Sequence, residues 1–319
     1  MASEHEGATQ VTTDIDNEHH ADAGVGFRSV WKYLFRTPHK LDWIDVAGIK
    51  TRYLEAGSPS APVVILLHGA AGSLENFLAN IAEYARHFRV LAIDMVGAGW
   101  TDKPDYPYTP NVYVKHLRGF MDALGIERAA LVGNALGSTV AVYFAKRWPE
   151  RVRRLVLVGI GAIISDQASF DRFMAGVKSR RGNTAEAPTW ENVHHVFKNL
   201  LLREEDRLDE LIALRLEIYQ TREMRQAMPH LFATAAADTC LSHDEWRAIE
   251  TPMLVVAAVD APNPMFANNA RLVGELCPNA RVVEIPGCAM WPQYEQAAAF
   301  HAASIPFLLD VAAAPPGDL

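Results

Sequence analysis

The chain has 319 residues, half of them hydrophobic, and a mean hydropathy of −0.02, the profile of a globular chain with a large core. A net charge of −8 and the lack of any Lys/Arg-rich run argue against nucleic acid as a partner. The one long apolar run, Leu155 to Ile164, is too short for a bilayer and is interrupted by Gly159 and Gly161.

Residues 1–26 are polar, acidic and without periodicity, and read as a disordered segment with no apolar stretch of signal-peptide length. Cys240, Cys277 and Cys288 show no C-x-x-C pairing. They fit free thiols in a reducing cytoplasm better than a disulfide framework or a zinc site, and no cofactor is expected. Phe27 to Phe35 has the spacing of a short amphipathic helix that packs on the body or meets a second copy. Leu41 to Ala56 alternates as two antiparallel strands turning at Ala47-Gly48.

A strand–loop–helix rhythm follows. Strands are predicted at Val63–Leu67, Arg89–Asp94, Ala129–Asn134 and Arg154–Val158, each a continuous apolar run suited to a strand buried on both faces. Helices are predicted at Phe77–Phe88, Val112–Leu124 and Leu136–Trp148. The alternation predicts an α/β fold, a doubly wound and mostly parallel sheet. After Gly161 the rhythm stops until strands resume at Pro252–Ala257 and Ala280–Ile285. Residues 27–160 and 237–310 thus read as the core, 161–236 as a helical cap over the sheet's C-terminal edge, and 311–319 as a flexible tail.

The most informative stretch is Gly133-Asn134-Ala135-Leu136-Gly137, between an apolar strand and a helix. Glycines two residues to either side of the central position permit a sharp turn that lifts its side chain above the sheet. A nucleophile elbow has Ser at that centre; this chain has Ala135. Leu66-Leu67-His68-Gly69-Ala70-Ala71-Gly72 follows the first parallel strand and suits a loop donating one oxyanion-hole amide, with Leu136 supplying the other. Asp94-Met-Val-Gly-Ala-Gly99 reads as an architectural turn, and His68 as structural within its loop. His194-His195 lack a third ligand at metal spacing, and His116, His230, His243 and His301 have no partner recognisable from sequence.

From about Leu41 to Leu309 these motifs resemble the α/β-hydrolase superfamily, and within it the meta-cleavage-product hydrolases, which cut C–C bonds in 2-hydroxy-6-oxo-dienoates. Gly-Asn-x-Leu-Gly at 133–137, Asn76-Phe77 and Pro286-Gly-Cys-Ala-Met-Trp-Pro292 carry the likeness. The resemblance implies a Ser–His–Asp mechanism on a small hydrophobic or aromatic-derived substrate, and leaves a homodimer open. It places the catalytic histidine where Met290 stands, followed by Trp291, and the acid at Asp260, four residues before Pro264. It also places Asn76, Asn134 and Arg215 in the binding site, Arg215 on the substrate carboxylate; a solvated cap arginine is the other reading of that residue.

Ala135 has no hydroxyl, and the Met290 thioether cannot exchange protons near neutral pH. Three accounts follow. One is a hydrolase inactivated by substitution. Another is a repurposed lyase, isomerase or cyclase resting on the oxyanion hole, with Asp260 as base. The last is a binding module that has kept the pocket. Without an imidazole to orient, Asp260 is expected to be either solvated or raised in pKa.

Overall fold

The chain reverses at Ala47 and Gly48, both at positive φ (52° and 86°), as a tight two-residue hairpin requires. This turn pairs β1 (His39–Val46) antiparallel with β2 (Ile49–Ala56), Val46 facing Ile49. The computed structural model describes residues 29–233 and 239–310. The segment 1–26, the tail 311–319 and the expected core–cap boundary near 237 therefore lie outside the described residues.

Six further strands, β3 (Val63–Leu67), β4 (Arg89–Ile93), β5 (Ala129–Asn134), β6 (Val152–Val158), β7 (Met253–Ala258) and β8 (Ala280–Ile285), complete one sheet. Its order is β1-β2-β4-β3-β5-β6-β7-β8. β2 joins β4 antiparallel, and every pairing from β4 through β8 is parallel. Helices α1 (Leu78–Ala85), α2 (Pro110–Ala123) and α3 (Leu136–Arg147) follow β3, β4 and β5. Among the described residues, five α-helices fall between β6 and β7: α4 (Gln167–Glu186), α5 (Trp190–Leu200), α6 (Asp209–Gln220), α7 (Arg222–Ala233) and α8 (His243–Arg247). After β7 comes α9 (Met265–Leu276), and after β8 come α10 (Pro292–Glu295) and α11 (Ala297–Leu309). Local chemistry starts several of these helices. Thr109 caps α2 through the Val112 amide with Pro110 in the first turn, and Ser242 with Glu245 forms a reciprocal capping box on α8.

The central strands are buried along nearly their whole length because helices cover both faces. Their C-terminal ends face the helical insertion, and the loops leaving β3, β5, β7 and β8 converge there. Asp94, the residue after β4, is fully buried. Its Oδ1 accepts from the Leu74 amide (2.7 Å), and its Oδ2 from the Trp100 amide (2.8 Å) and Arg52 Nη1 (3.1 Å). Arg52 also pairs with Glu75, so one guanidinium neutralises two buried carboxylates that fix the turn after β4.

The N-terminal expectation needs correcting. Instead of an amphipathic helix, the described part of that segment holds a single 3-10 turn, Val30–Tyr33. Leu34 is buried, and Tyr33 meets Tyr294 edge to face, while Trp31 and Phe35 are more than 60% exposed. One turn is too short to present a continuous apolar stripe.

Candidate active site

β5 ends at Asn134 and α3 begins at Leu136, so one residue makes the turn between them. Ala135 takes φ 50° and ψ −108°, a conformation that costs a residue with a side chain about 1–3 kcal/mol. Its surroundings hold it there. The Ala135 amide donates to the Val158 carbonyl (2.8 Å), and its own carbonyl accepts from the Thr139 amide (3.2 Å). Ser138 Oγ lies 2.8 Å from both the Gly133 and Val158 carbonyls. A Cβ on Gly137 would stand 1.9 Å from the Leu67 carbonyl oxygen, and one on Gly133 would stand 2.4 Å from Gly137 C. The two glycines let the elbow press against β3 and the start of α3.

The loop after β3 touches this elbow. A Cβ on Gly69 would lie 3.2 Å from Asn134 Oδ1 and 3.6 Å from the Ala135 Cβ. His68 fixes the loop from beneath. Its Nε2 accepts from the Met95 amide (2.9 Å), which leaves the proton on Nδ1 to donate to the Gly69 carbonyl (2.7 Å). Complete burial pushes its pKa down to about 4. His68 is thus neutral and a wedge.

The loop from Pro286 to Trp291 closes the other side. Asn134 Nδ2 donates to the Met290 carbonyl (2.8 Å), and the Met290 amide donates to the Leu200 carbonyl at the end of α5 (3.0 Å). A Cβ on Gly159 would lie 3.6 Å from Met290 Cε and 3.8 Å from the Ala135 nitrogen. The Met290 methyl therefore sits beside the elbow, packed against the small apolar cluster of Phe170, Met265 and Phe266.

These segments enclose a cavity of about 200 Å³. Nine of the residues singled out by sequence line it: Gly69, Ala70, Asn76, Asn134, Ala135, Leu136, Arg215, Met290 and Trp291. Asp260 does not. It lies exposed after β7, and its Oδ2 accepts from the Gly287 amide (2.7 Å). Sequence reasoning missed the apolar wall of Phe170, Phe173, Met174, Met265 and Phe266, and the polar Tyr108, Tyr113, Thr139, Asn199 and Thr239. Spacing could have exposed part of it. Phe170, Phe173 and Met174 stand at i, i+3 and i+4 on α4, and Thr139 lies one turn after Leu136.

Among the described lining residues there is no Asp, Glu, His, Lys or Cys, and Arg215 is the one cation. Arg215 is 5% exposed; its Nη2 donates to Asn76 Oδ1 (3.0 Å), and its guanidinium lies over the rings of Phe197 and Tyr219. Among the described residues no carboxylate pairs with it. A desolvated cation facing a cavity attracts an anion into that cavity. Neither His194 nor His195 reaches the cavity, and no metal-holding group of three or more His, Cys, Asp or Glu occurs among the described residues.

This elbow, sheet order and loop arrangement define a hydrolase-type scaffold, and residues 62–297 match the family model for the alpha/beta hydrolase fold. The chain belongs to that family. It is related to enzymes of meta-cleavage. It is 30% identical over 260 residues to 2-hydroxy-6-oxo-2,4-heptadienoate hydrolase of Pseudomonas putida strain F1, covering 78% of this chain and 89% of that one. It is equally similar (30% over 267 residues, 82% and 91% covered) to 2-hydroxy-6-oxononadienedioate/2-hydroxy-6-oxononatrienedioate hydrolase of Paraburkholderia phymatum. Among solved structures, 2-hydroxy-6-oxo-6-phenylhexa-2,4-dienoate hydrolase from Rhodococcus sp. strain RHA1 superposes with a TM-score of 0.76 at 20% identity, covering 86% of this chain and all of that one. That likeness shows the fold. A mutant meta-cleavage product hydrolase from Pseudomonas fluorescens IP01, complexed with acetates, gives 0.70 at 26% identity, with 84% and 97% covered.

Proposed function

We propose that the cavity binds a small carboxylate with an apolar or aromatic-derived body, and that the chain as it stands does not carry out Ser–His–Asp hydrolysis. The observation that carries this reading is Ala135 at the strained elbow with the Met290 methyl beside it, in a cavity whose described lining has no general base. Arg215 with Asn76 holds the carboxylate, and the Phe170–Met265–Phe266 cluster receives the body of the ligand. Asn134 and Trp291 shape the wall next to Met290, and Asp260 has no imidazole to orient. Residues 161–236 act as a cap on a core formed by 27–160 and 237–310.

Calorimetric titration with 2-hydroxy-6-oxo-6-phenylhexa-2,4-dienoate tests the binding half. Saturable binding is expected, weakened on the order of a hundredfold by Arg215→Ala, about 2–3 kcal/mol for a charge-assisted contact. Equal affinity of that variant and the parent chain would remove Arg215 from the site.

One observation supports a second reading. The elbow retains its costly positive φ although no nucleophile needs it. In this reading the amide of Leu136, with that of Ala70, would polarise a ligand carbonyl in a lyase or isomerase reaction, and both residues line the cavity. Since Asp260 lies outside the cavity, such a reaction would rest on main-chain amides. Full activity of Asp260→Ala on any substrate found would agree with that, and loss of activity would restore Asp260 as the base.

A further inference from the structure

The position of Met290 depends on a joint between the core and the helical insertion. Glu295, the last residue of α10, is 6% exposed. Its Oε2 accepts from the Ala289 amide (2.8 Å), next to Met290, and its Oε1 accepts from the Leu202 amide (2.5 Å), just beyond α5. The Met290 amide donates to the Leu200 carbonyl (3.0 Å), and Arg203 Nη2 to the Glu295 carbonyl (3.4 Å). Two short segments, one from each body, are thus joined around a single buried carboxylate, and both supply lining residues, Leu200 and Met290.

We infer that Glu295 is a positioning residue for the cavity: by accepting one amide from the core loop and one from the insertion, its carboxylate sets the gap between the cavity floor and the insertion, whose α6 carries Arg215. The inference rests on the carboxylate-binding reading of that cavity. An ionised carboxylate accepts at both oxygens, whereas a carboxamide or a protonated acid accepts fully at one end and presents a donor at the other. Either change turns one of the two amides away.

The charges around this group come from both sides. Arg203, Asp206 and Arg207 belong to the turn after α5, and Cys288 to the loop before α10. Burial, with the nearby Asp206 charge, holds the Glu295 carboxyl above the usual carboxylate range against the two amides. The ionised form is therefore costly to the fold, so replacing it with an amide should loosen the joint without a large loss of global stability. That separates positioning from simple stapling.

The test is Glu295→Gln in the full chain. It is read by calorimetry with naphthalene-2-sulfonate, an aromatic anion that stays ionised across the pH range used, by thermal unfolding, and by amide hydrogen exchange at Leu202 and Ala289. At pH 7.5 the expected results are a tenfold or greater loss of affinity, a melting temperature within a few degrees of the parent, and at least tenfold faster exchange at one of the two amides. Because burial raises the Glu295 carboxyl, the parent should lose affinity as the pH is lowered while the variant stays flat. Equal affinities, or parallel pH profiles, would overturn the inference. If the parent does not bind the probe, the carboxylate reading fails, and amide exchange still decides the joint, with unchanged exchange overturning it. If Glu295→Gln does not fold, Glu295→Asp keeps the charge on a shorter reach, and the same losses in smaller measure are expected.

Discussion

At the residue scale, burial converts histidines into structural groups, and this should be visible in the pH dependence of stability. His68 and His116 are both held near a pKa of about 4 by desolvation, His116 between Thr51 Oγ1 (2.8 Å) and the Val96 amide. Both folded-state values lie below the ordinary value near 6.5, so the unfolded chain binds more protons between about pH 6.5 and 4. Stability is therefore full above pH 6.5 and drains away as the pH falls through that window. Asp94 works in the opposite direction, because burial raises its carboxyl to about 6 and the folded state takes up its proton first. His301, lowered by burial, and Glu295, raised by it, act in opposite senses, so with His68 and His116 against Asp94 urea denaturation at pH 5 should show a loss on the order of a few kcal/mol relative to pH 7.5. Replacing His116 with Gln should shrink that difference, and an unchanged slope would show that His116 is not buried in neutral form. The sequence could place His68 in its loop but could not pair His116 with Thr51, because 65 residues separate them.

At the element scale, the sheet was readable because each central strand is a short apolar run between helices. β3, β5 and β8 have the boundaries expected from sequence, and the others differ by one or two residues. The elbow was readable for a different reason: close approach to β3 at Gly137 and to the start of α3 at Gly133 demands glycine at two positions. Gly137→Ala should therefore abolish folding or cost well over 3 kcal/mol, since its Cβ meets a main-chain oxygen. Gly125→Ala, at positive φ (64°) and with nothing within 4 Å, should cost about 1 kcal/mol by denaturant titration. Comparable costs for the two would mean that steric contact at the elbow is not what requires glycine. The Arg52–Asp94–Glu75 group allows a similar test. Arg52→Ala leaves two buried carboxylates facing each other and should lower stability by about 3–5 kcal/mol. A loss below 1 kcal/mol would show that solvent reaches them.

At the scale of the whole molecule, the cavity is built from loops of the core and from helices far away in sequence. For that reason only part of it was legible beforehand. Residues in motifs tied to a turn or strand end, such as Ala135, Gly69 and Met290, could be placed. Phe170, Phe173 and Met174 could not, because helical periodicity shows a stripe without showing what it faces. Asp260 shows the converse: a correct interval from Pro264 does not determine whether a side chain reaches the cavity. In the proposed reading, Ala135 and Met290 stand where an attacking oxygen and a proton carrier would be, in a cavity whose described lining has one cation.

The most direct measurement is a single-turnover experiment with the chain in excess over 2-hydroxy-6-oxo-6-phenylhexa-2,4-dienoate, followed by absorbance and by mass spectrometry of the recovered ligand. The account predicts a bound ligand returned intact, at the rate of decay in buffer alone. Cleavage into two products at a rate that depends on the protein and falls with Arg215→Ala would contradict it.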